Sequence, residues 1–331
     1  MTNYISKNDQ LFFDTLEKAS AGDLRSQTDV RIAIQAFLAE PKAVKQKKIQ
    51  GFGVSTDLAE LTKDAFNVTI QQDNFDLGWE QAFRQVVLGE KQDSWEIYDV
   101  GNSLTFMKVE EGQRIEVAGI TGTKATAYVD YYGGALGWTD KMIRFRKVSS
   151  MIDMALIFRN KFWSNKANNH YALLSASALL NVTAYQAGTG QLQRDIATIN
   201  LAMATLGDRC KDKGYGDTAT APIVMYASPY DEARIEAAFN ATTNAMAMMG
   251  IVGTQIASRR VTRIYTFNAN VSRGLPIIVL PGNKIQKADA LPPTTFTAPK
   301  DILTLNEMQS VWAIYGGIIG DTDQTQTITL A

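Results

Sequence analysis

The chain has 331 residues, of which 45% are hydrophobic and 20% are charged. This composition is typical of a globular protein and argues against global disorder, and the length allows one large domain or two modest ones. The 33 basic residues nearly cancel the 34 acidic ones. A dedicated nucleic-acid-binding protein usually carries a basic excess, so the charge balance argues against that class, whereas near-neutrality spares packed copies from self-repulsion.

The first 90 residues predict short helices. Apolar residues recur at helical spacing in 11–19 and 30–38, and again in 55–66 and 76–88. Four lysines fall within 42–48, and this basic stretch is either a solvated linker or an arm that lies on an acidic neighbour or faces nucleic acid.

From Ser103 to Tyr132 the hydrophobic period changes to two, which predicts strands. This ribbon is too polar to form a core, and a ribbon of two or three strands is marginal alone in water. It must therefore lie either on the rest of its own chain or on a neighbouring subunit. The predicted strands are 104–108, 114–118 and 125–129, and the predicted turns lie at 110–113 and 121–123.

The strongest predicted element is a long helix from Lys147 to about Leu180, a stretch with no proline and no glycine. Its apolar face is interrupted by the polar stretch 164–169, where the helix could kink or break. An unbroken helix of this length would span about 45–50 Å at 1.5 Å per residue. A second helix, with one apolar stripe, follows between Leu192 and Cys210.

The C-terminal third alternates strands and helices. The run 221–226 predicts a buried strand, and Ser228 with Pro229 is a strong start for a helix through Phe239. The tract 240–253, rich in alanine, methionine and threonine, predicts a loop or an adaptable surface. The remaining expected elements are strands at 261–267, 277–280 and 311–319, the last of them terminal, and a linker around 291–293.

No segment matches a catalytic motif. The stretch 119–124 lacks the spacing of a phosphate-binding loop, and Gly250 and Gly253 do not make a dinucleotide fingerprint. The single histidine, His170, has no second histidine with which to share a metal, and the single cysteine, Cys210, allows no intramolecular disulfide and no thiolate cluster. We interpret both residues as structural, and we expect no enzyme activity, no cofactor and no metal.

No membrane segment is expected either. No long apolar core follows the first lysine, so a secretory signal is not predicted, and the longest apolar runs, such as 276–281, are too short to span a bilayer. The sequence therefore predicts a soluble protein made in a reducing cytoplasm.

Positive charge is concentrated on and just before the long helix. This surface has three interpretations: a solvated helix face, a nucleic-acid contact, or a contact with carboxylates of a neighbouring copy, where ion pairs would fix register. The basic residues are Lys141, Arg144, Arg146, Lys147, Arg159, Lys161 and Lys166. The candidate carboxylates are Glu110, Glu111 and Glu116, and Lys124 is a further candidate for a contact between subunits.

The order of elements resembles that of the major capsid protein of tailed double-stranded-DNA bacteriophages, the Hong Kong 97-type fold, over about residues 50–320. In this resemblance, 102–132 looks like the extended loop and 147–180 like the spine helix. The segments 222–229, 273–279 and 310–317 resemble the family's strand-then-capped-helix entry into the axial domain, its glycine–apolar–proline–strand segment and its return strand to the peripheral domain.

The resemblance implies an α+β, Hong Kong 97-like capsid fold with an N-terminal arm, an extended β-hairpin loop, a long spine helix, and peripheral and axial domains. No lysine–asparagine pair for covalent cross-links is identified, and because the sequence begins with Met1, no cleaved scaffolding segment is expected. The implied divisions are the arm (1–50), the first part of the peripheral domain (51–101), the extended loop (102–132), the peripheral domain with its spine helix (133–215), the axial domain (216–300), and its end with the return strand (301–331).

The implied function is that of a major head protein that self-assembles into the pentamers and hexamers of an icosahedral shell around double-stranded DNA. Its implied partners are other copies of itself, a portal, possible scaffolding or decoration proteins, and DNA held non-specifically; its implied location is the virion, after assembly in the host cytoplasm. An encapsulin-like bacterial nanocompartment shell is the alternative, followed by an enzyme or another oligomeric binding protein. Deleting 110–124 is expected to leave a folded subunit that forms no closed particles.

Overall fold

The structure is a computed structural model that describes residues 78–89, 92–100, 122–139, 148–211, 213, 215, 218, 221–249, 260–282, 284–297 and 306–330. The helices are α1 (Val148–Ala178), α2 (Gln191–Cys210) and α3 (Glu232–Met249), with short 3₁₀ helices at Gly78–Ala82, Pro229–Asp231 and Thr322–Gln324. The strands are β1 (Arg84–Val86), β2 (Ser94–Val100), β3 (Gly122–Tyr128), β4 (Asp130–Thr139), β5 (Val182–Thr183), β6 (Ile223–Ala227), β7 (Val261–Tyr265), β8 (Ile277–Val279), β9 (Ile285–Thr297), β10 (Asn306–Ile319) and β11 (Thr325–Ile328). This mixture confirms the α+β class.

The described residues fall into two compact units. The first comprises the described parts of Tyr131–Trp163 and Leu291–Ala313. The second comprises the described parts of Phe75–Asp130, Ser164–Ala290 and Ile314–Ala331. The second unit holds the five-stranded sheet, the ribbon of β2 and β3, and the helices α2 and α3.

The five-stranded sheet has the order β5-β11-β8-β6-β7 and is buried on both faces at its centre. Successive residues of β6 point to opposite faces, as in any strand. Met225 therefore joins the core formed with α2 and α3, whereas Tyr226 joins the core formed with α1 and Trp79. This double burial explains why β6 is a continuous apolar run rather than an alternating one.

Helix α1 is continuous for 31 residues, about 46 Å, and the predicted long helix is confirmed. The break considered at the polar stretch 164–169 does not occur, because α1 is helical throughout this stretch. Lys166 and Ala167 of this stretch lie on the buried side of the helix. Tyr171, Leu174 and Ala178 continue that side and are fully buried against the sheet. A lysine on the buried face therefore takes the place that an apolar residue would usually occupy.

Helix α2 and strands β6, β7 and β8 also confirm the prediction. The apolar stripe of α2 carries Ile199, Met203, Leu206 and Cys210, and all four are fully buried. This stripe packs with residues of α3 and of the five-stranded sheet. Amphipathic spacing was sufficient here because one face of the helix meets one continuous core.

Two further groups of strands complete the described fold. A four-stranded sheet has the order β1-β9-β10-β4. A separate antiparallel ribbon pairs β2 with β3, with Trp95 opposite Ala127 and Tyr98 opposite Lys124. The strand predicted at 125–129 is confirmed as part of β3, but the turn predicted at 121–123 is wrong, because Gly122 and Thr123 lie in β3 and pair with β2.

The helix predicted at 76–88 is wrong beyond its first turn. The structure has a 3₁₀ helix of five residues, Gly78–Ala82, followed at once by β1. The apolar residues there are one helical turn apart, but β1 forms a parallel pair with β9, in which Arg84 lies opposite Gln286. Pairing with a distant strand therefore outweighs the local helical spacing.

Three predictions in the C-terminal half are also wrong. The loop predicted at 240–253 is helical as far as Met249, because alanine and methionine are good helix formers. The linker predicted at 291–293 lies inside β9, beyond the residues 286–288 that pair with β1, and proline is tolerated at such an edge. The strand at 311–319 belongs to β10 but is not the last strand, since β11 follows it.

Several predicted elements lie outside the described residues. They are the helices at 11–19, 30–38 and 55–66, the lysine-rich stretch 42–48, and the strands and turn within 104–118.

Candidate functional site: the ribbon base and the cluster beneath it

The described part of the ribbon is its base, and the base has one buried face. Trp95, Ile97, Ala127 and Val129 are buried, and they form a core cluster with Ala288. Val86, Leu88, Ile314 and Ile318 pack against the same cluster. The ribbon base therefore lies on its own chain, whereas the support of residues 103–121, which lie outside the described residues, stays a prediction.

Three contacts hold the ribbon base in place. The indole Nε1 of Trp95 donates a hydrogen bond to Oε1 of Gln286 at 2.9 Å. A Cβ added to Gly316 of β10 would lie 2.2 Å from the backbone oxygen of Tyr128, so β10 passes directly under the ribbon backbone. A Cβ added to Gly320 would lie 2.9 Å from Ile97. Glycine is required at Gly316 because the close backbone approach leaves no room for any side chain.

The opposite face of the ribbon is exposed and charge-matched. Glu96 pairs with Lys124 on the adjacent strand, and the hydroxyl of Tyr98 donates to Glu96 at 2.5 Å. The hydrogen bond from Lys124 is the main reason that the pKa of Glu96 is lowered, and the same bond raises the pKa of Lys124. Tyr98 and Tyr128 add two exposed rings to this face. The result is a polar, aromatic surface that carries little net charge.

The predicted contact residues are only partly described. Lys124 lies in β3 and faces Glu96 of its own ribbon. Arg159 lies on α1, where its Nε and Nη2 donate to Oδ1 of Asn160 at 3.3 and 3.1 Å. Glu110, Glu111, Glu116, Arg144, Arg146 and Lys147 lie outside the described residues. The partner of Lys124, Glu96, was not identified from the sequence, because β2 was not predicted.

Beneath the ribbon, β10 contacts α1 through Gly317, the residue that follows Gly316. A Cβ added to Gly317 would lie 3.2 Å from Cδ2 of His170 and 3.2 Å from Cδ1 of Leu173. Adjacent residues of a strand face opposite sides, so Gly316 and Gly317 adjoin the ribbon and the helix respectively. This pair of glycines lets β10 lie between two layers with little space on either side.

A cluster of aromatic rings and lysines, here named the lysine–aromatic cluster, surrounds His170. Its ring stacks on Trp79 with centroids 3.8 Å apart, and on Tyr315 with centroids 5.9 Å apart. Lys166 binds Oδ1 of Asp289 at 2.6 Å, and Lys287 binds Glu80. Both ammonium groups also lie over the Trp79 ring, at 6.0 and 4.7 Å from its centroid. Each buried cation is thus balanced by a carboxylate and an aromatic face.

His170 is a neutral structural residue in this cluster. Its Nδ1 lies 2.8 Å from the carbonyl oxygen of Lys166, so Nδ1 carries the proton and donates it. Burial lowers the pKa of His170 to about 4, and the backbone hydrogen bond opposes this only in part. A histidine with this pKa is uncharged at neutral pH, in agreement with the structural role expected from the sequence.

Cys210 is a buried thiol at the end of α2. Its side chain is fully buried, and its Sγ lies 3.3 Å from the carbonyl oxygen of Asp323. Burial raises the pKa of the thiol to about 11, so almost no thiolate is present at neutral pH. Among the residues that the structure describes, no group of three or more histidine, cysteine or carboxylate side chains could hold a metal ion. No helix in the described part is long and apolar enough to cross a bilayer.

Comparison with known proteins gives structural similarity without sequence similarity. No protein-family model and no curated protein matches the chain. A chain of the mature capsid of bacteriophage PhiM1 is 10% identical, with a TM-score of 0.51 over 78% of this chain and 88% of that one. A chain from Microbacterium phage Oxtober96 is also 10% identical, with a TM-score of 0.51 over 76% of this chain and 90% of that one.

At 10% identity, these similarities concern the fold. The aligned residues cover most of each phage chain, so the similarity extends beyond any single helix, strand or compact unit. The resemblance inferred from the order of elements is confirmed at this level. In fold, the chain is similar to the capsid chain of bacteriophage PhiM1 and to the chain from Microbacterium phage Oxtober96.

Proposed function

We propose that this chain is the major head protein of a tailed double-stranded-DNA phage, with a Hong Kong 97-like fold. The observation that carries the proposal is the fold shared with 88% of the PhiM1 capsid chain. The ribbon supports it, because its base is anchored on its own chain while its outer face is exposed. Copies would assemble in the host cytoplasm into the pentamers and hexamers of an icosahedral shell, and this shell would be the capsid of the virion.

In this proposal the domains are those implied by the resemblance, and the partners are other copies, a portal, possible scaffolding or decoration proteins, and packaged DNA held without sequence specificity. The small charge imbalance, 33 basic against 34 acidic residues, fits an interior that does not bind DNA tightly. The two similarities do not favour the nanocompartment alternative.

Electron microscopy of the purified chain tests the function directly. Closed hollow particles or flat hexameric sheets would support a shell protein. A discrete monomer or dimer at every concentration tried would contradict it. Light scattering on the same sample gives the mass of the assembled species and separates ordered shells from aggregates.

We further propose that the ribbon of one copy contacts the long helix of the next through ion pairs. The carboxylates are Glu110, Glu111 and Glu116, and their partners are Arg144, Arg146, Lys147 and Arg159. Lys124 would contribute through the charge-matched outer face that it forms with Glu96, not as an isolated cation. Such pairs add little energy each, but they set the register between subunits.

Charge reversal tests these contacts. Glu110→Lys with Glu111→Lys is expected to reduce particle formation, and adding Arg144→Glu with Arg146→Glu is expected to restore part of it. Asp208→Lys is the control, because Asp208 is exposed on α2 and pairs with Lys211, the residue that follows this helix. Loss of particles with the control, or no loss with the glutamate pair, would contradict the proposed contact.

A further inference from the structure

Arg209, in the last turn of α2, is a buried cation that does not use all of its hydrogen-bond donors. Its Nη2 donates to Oε1 of Gln326 in β11 at 2.6 Å. Its Nε and Nη1 are buried as well, but neither donates to any residue that the structure describes. Burial lowers the pKa of Arg209. Because a buried donor without an acceptor is costly, this guanidinium would gain from one more acceptor.

A carboxylate oxygen lies just beyond the reach of Arg209. Oδ1 of Asp323 is 3.8 Å from Nη1 of Arg209, which is too long for a hydrogen bond. The other oxygen, Oδ2, is bound by Nζ of Lys213. Lys213 also donates to both oxygens of Asp321 at 3.1 Å, and Oδ2 of Asp321 accepts from the hydroxyl of Tyr215 at 2.6 Å. The carboxylate of Asp323 therefore lies between two cations and forms a hydrogen bond with only one of them.

The backbone of Asp323 is held in place, whereas its side chain can turn. The backbone N–H of Asp323 donates to Oδ1 of Asp321 at 3.0 Å, and its carbonyl oxygen accepts from Sγ of Cys210 at 3.3 Å. The side chain is 32% exposed, so a rotation would not disturb the core. A movement of about 1 Å would bring Oδ1 within hydrogen-bond distance of Arg209.

The two cations belong to different parts of the chain. Arg209 lies within α2, whereas Lys213 lies in the connection between α2 and β6. Asp323 lies in the 3₁₀ helix Thr322–Gln324, directly before β11. A bond to Lys213 ties this connection to the 3₁₀ helix, and a bond to Arg209 ties the helix α2 to it instead.

We propose that Asp323 is a two-position carboxylate that bonds either Lys213 or Arg209. In the first position, Lys213 is held by Asp321 and Asp323, as in the structure. In the second position, Asp323 accepts from Nη1 of Arg209, and Lys213 is held by Asp321 alone. One charge-assisted hydrogen bond replaces another, so the two positions are close in free energy. The exchange would loosen the connection between α2 and β6 without leaving the Asp323 carboxylate unpaired.

The charges of this cluster favour an exchange over the binding of an additional ion. Two cations, Arg209 and Lys213, face two carboxylates, Asp321 and Asp323, among the residues that the structure describes. An added anion or cation would therefore find no opposite charge left to balance it. A buried water is the other possible acceptor for the Arg209 donors, and the experiments below distinguish it from the exchange.

A double-mutant cycle tests the exchange by thermal unfolding. Lys213→Met is expected to lower the Tm at least about 2 °C further in an Arg209→Met background than in the wild type, because Asp323 then has no second cation. The loss of the Gln326 bond and the loss of a cation beside Asp321 occur in both arms and cancel. Lys211→Met is the matched control. Since Lys211 pairs with the exposed Asp208, its shift should be the same in both backgrounds.

Equal shifts for Lys213→Met in the two backgrounds would overturn the proposal, and this is the result expected if water satisfies Arg209. In an Asp323→Ala background, the coupling between Lys213 and Arg209 should vanish. A coupling that persists there would also overturn the proposal, because it would have to pass through another group.

A crystal structure of Lys213→Met tests the second position directly, and it needs only one substitution. Oδ1 of Asp323 is expected within about 3 Å of Nη1 of Arg209. A water bound to Nη1, with the carboxylate where it stands now, would refute the exchange. The proposed shell function is tested separately, because these measurements concern the fold of one subunit: either proposal can fail while the other stands.

Discussion

The five-stranded sheet and the ribbon differ in how completely one chain buries them. The sheet has a core on each face at its centre, built from α2 and α3 on one side and from α1 and the Trp79 region on the other. The ribbon base has a core on one face only, and its other face shows Glu96, Tyr98, Lys124 and Tyr128 to solvent.

This difference separates parts that fold within one copy from parts that can serve contacts between copies. The sheet needs nothing further to be buried at its centre, so substitutions there should affect stability. The outer face of the ribbon makes only side-chain pairs on the surface, which contribute little to stability. Substitutions there should leave the subunit folded and change its surface. The predictions below test this contrast, from the largest expected effect to the smallest.

The largest effect is expected from Tyr226→Ala at the centre of the sheet. The ring is fully buried and meets Tyr171 edge to face, and its hydroxyl donates to the carbonyl oxygens of Gly78 and Trp79 at 3.1 and 3.2 Å. Truncation should lower the free energy of unfolding by about 3–5 kcal/mol, as measured by chemical denaturation. Tyr230→Ala, at an exposed tyrosine, is the control and should change it little. Equal effects at the two sites would contradict the assigned core.

The second-largest effect on stability is expected in the lysine–aromatic cluster when acid protonates His170. The pKa of His170 is about 4 in the folded chain, against 6.5 for the free side chain, so the folded state disfavours protonation. The contribution of His170 to the free energy of unfolding is therefore fully present above about pH 6.5. It falls as the pH drops from there to about 4, and it does not change further at lower pH. The loss is about 3 kcal/mol, from 1.36 kcal/mol per pKa unit.

The charged groups around His170 are Lys166, Lys287, Asp289 and Glu80, which contribute their own pH dependence. The measurement is therefore a difference between the wild type and His170→Gln in denaturant unfolding from pH 7 to 4. The wild type should lose about 3 kcal/mol more than the variant over this range. Parallel pH profiles would show that His170 is not the titrating group.

A smaller effect is expected from Gly316→Ala between β10 and the ribbon. The added Cβ would lie 2.2 Å from the backbone oxygen of Tyr128, so the ribbon must shift. Overpacking of this kind costs about 1–3 kcal/mol, and the ribbon should become more sensitive to limited proteolysis. The control is Gly190→Ala, where an added Cβ meets nothing within 4 Å. An unchanged cleavage pattern in Gly316→Ala would indicate that β10 does not support the ribbon.

The smallest effect on stability is expected on the outer face of the ribbon. Lys124→Met should leave the Tm unchanged, because an exposed ion pair contributes little. It should also raise the pKa of Glu96 towards its ordinary value, since the hydrogen bond from Lys124 is the main cause of the lowering. A carboxyl NMR titration measures this, with Lys211→Met as the control. A clear loss of Tm would mean that this face belongs to the fold.

Much of the fold follows from local patterns. Helix α1 was predictable because 31 residues without proline or glycine carry an apolar side, and α2 because its stripe keeps a spacing of three and four residues. Strand β6 was predictable as a short apolar run bounded by Pro222 and by Ser228 with Pro229. In these segments, the local preference and the tertiary burial agree.

The candidate site was predictable only in outline. The sequence indicated a ribbon that needs support, but it did not predict β2. It predicted residues 311–319 of β10 as a strand without identifying this strand as the support of the ribbon. Glu96 and Gly316 gave no signal, because an alternating polar strand and a glycine pair have many other interpretations. Cys210 was expected from its apolar stripe to be buried, which is confirmed, and His170 hydrogen-bonds to its helix neighbour Lys166. That neither residue takes part in chemistry stays a prediction.

By itself, the sequence determined the long helix, the amphipathic second helix and the central buried strands, because each has a period that local geometry imposes. Only the tertiary structure decided the elements whose stability comes from distant partners. Strand β11 is the clearest case: its polar residues are buried because Thr325 shares a hydrogen bond of 2.6 Å with Ser177, and Gln326 accepts one of 2.6 Å from Arg209. Buried polar residues need partners that lie far away in the chain, and no local pattern announces them.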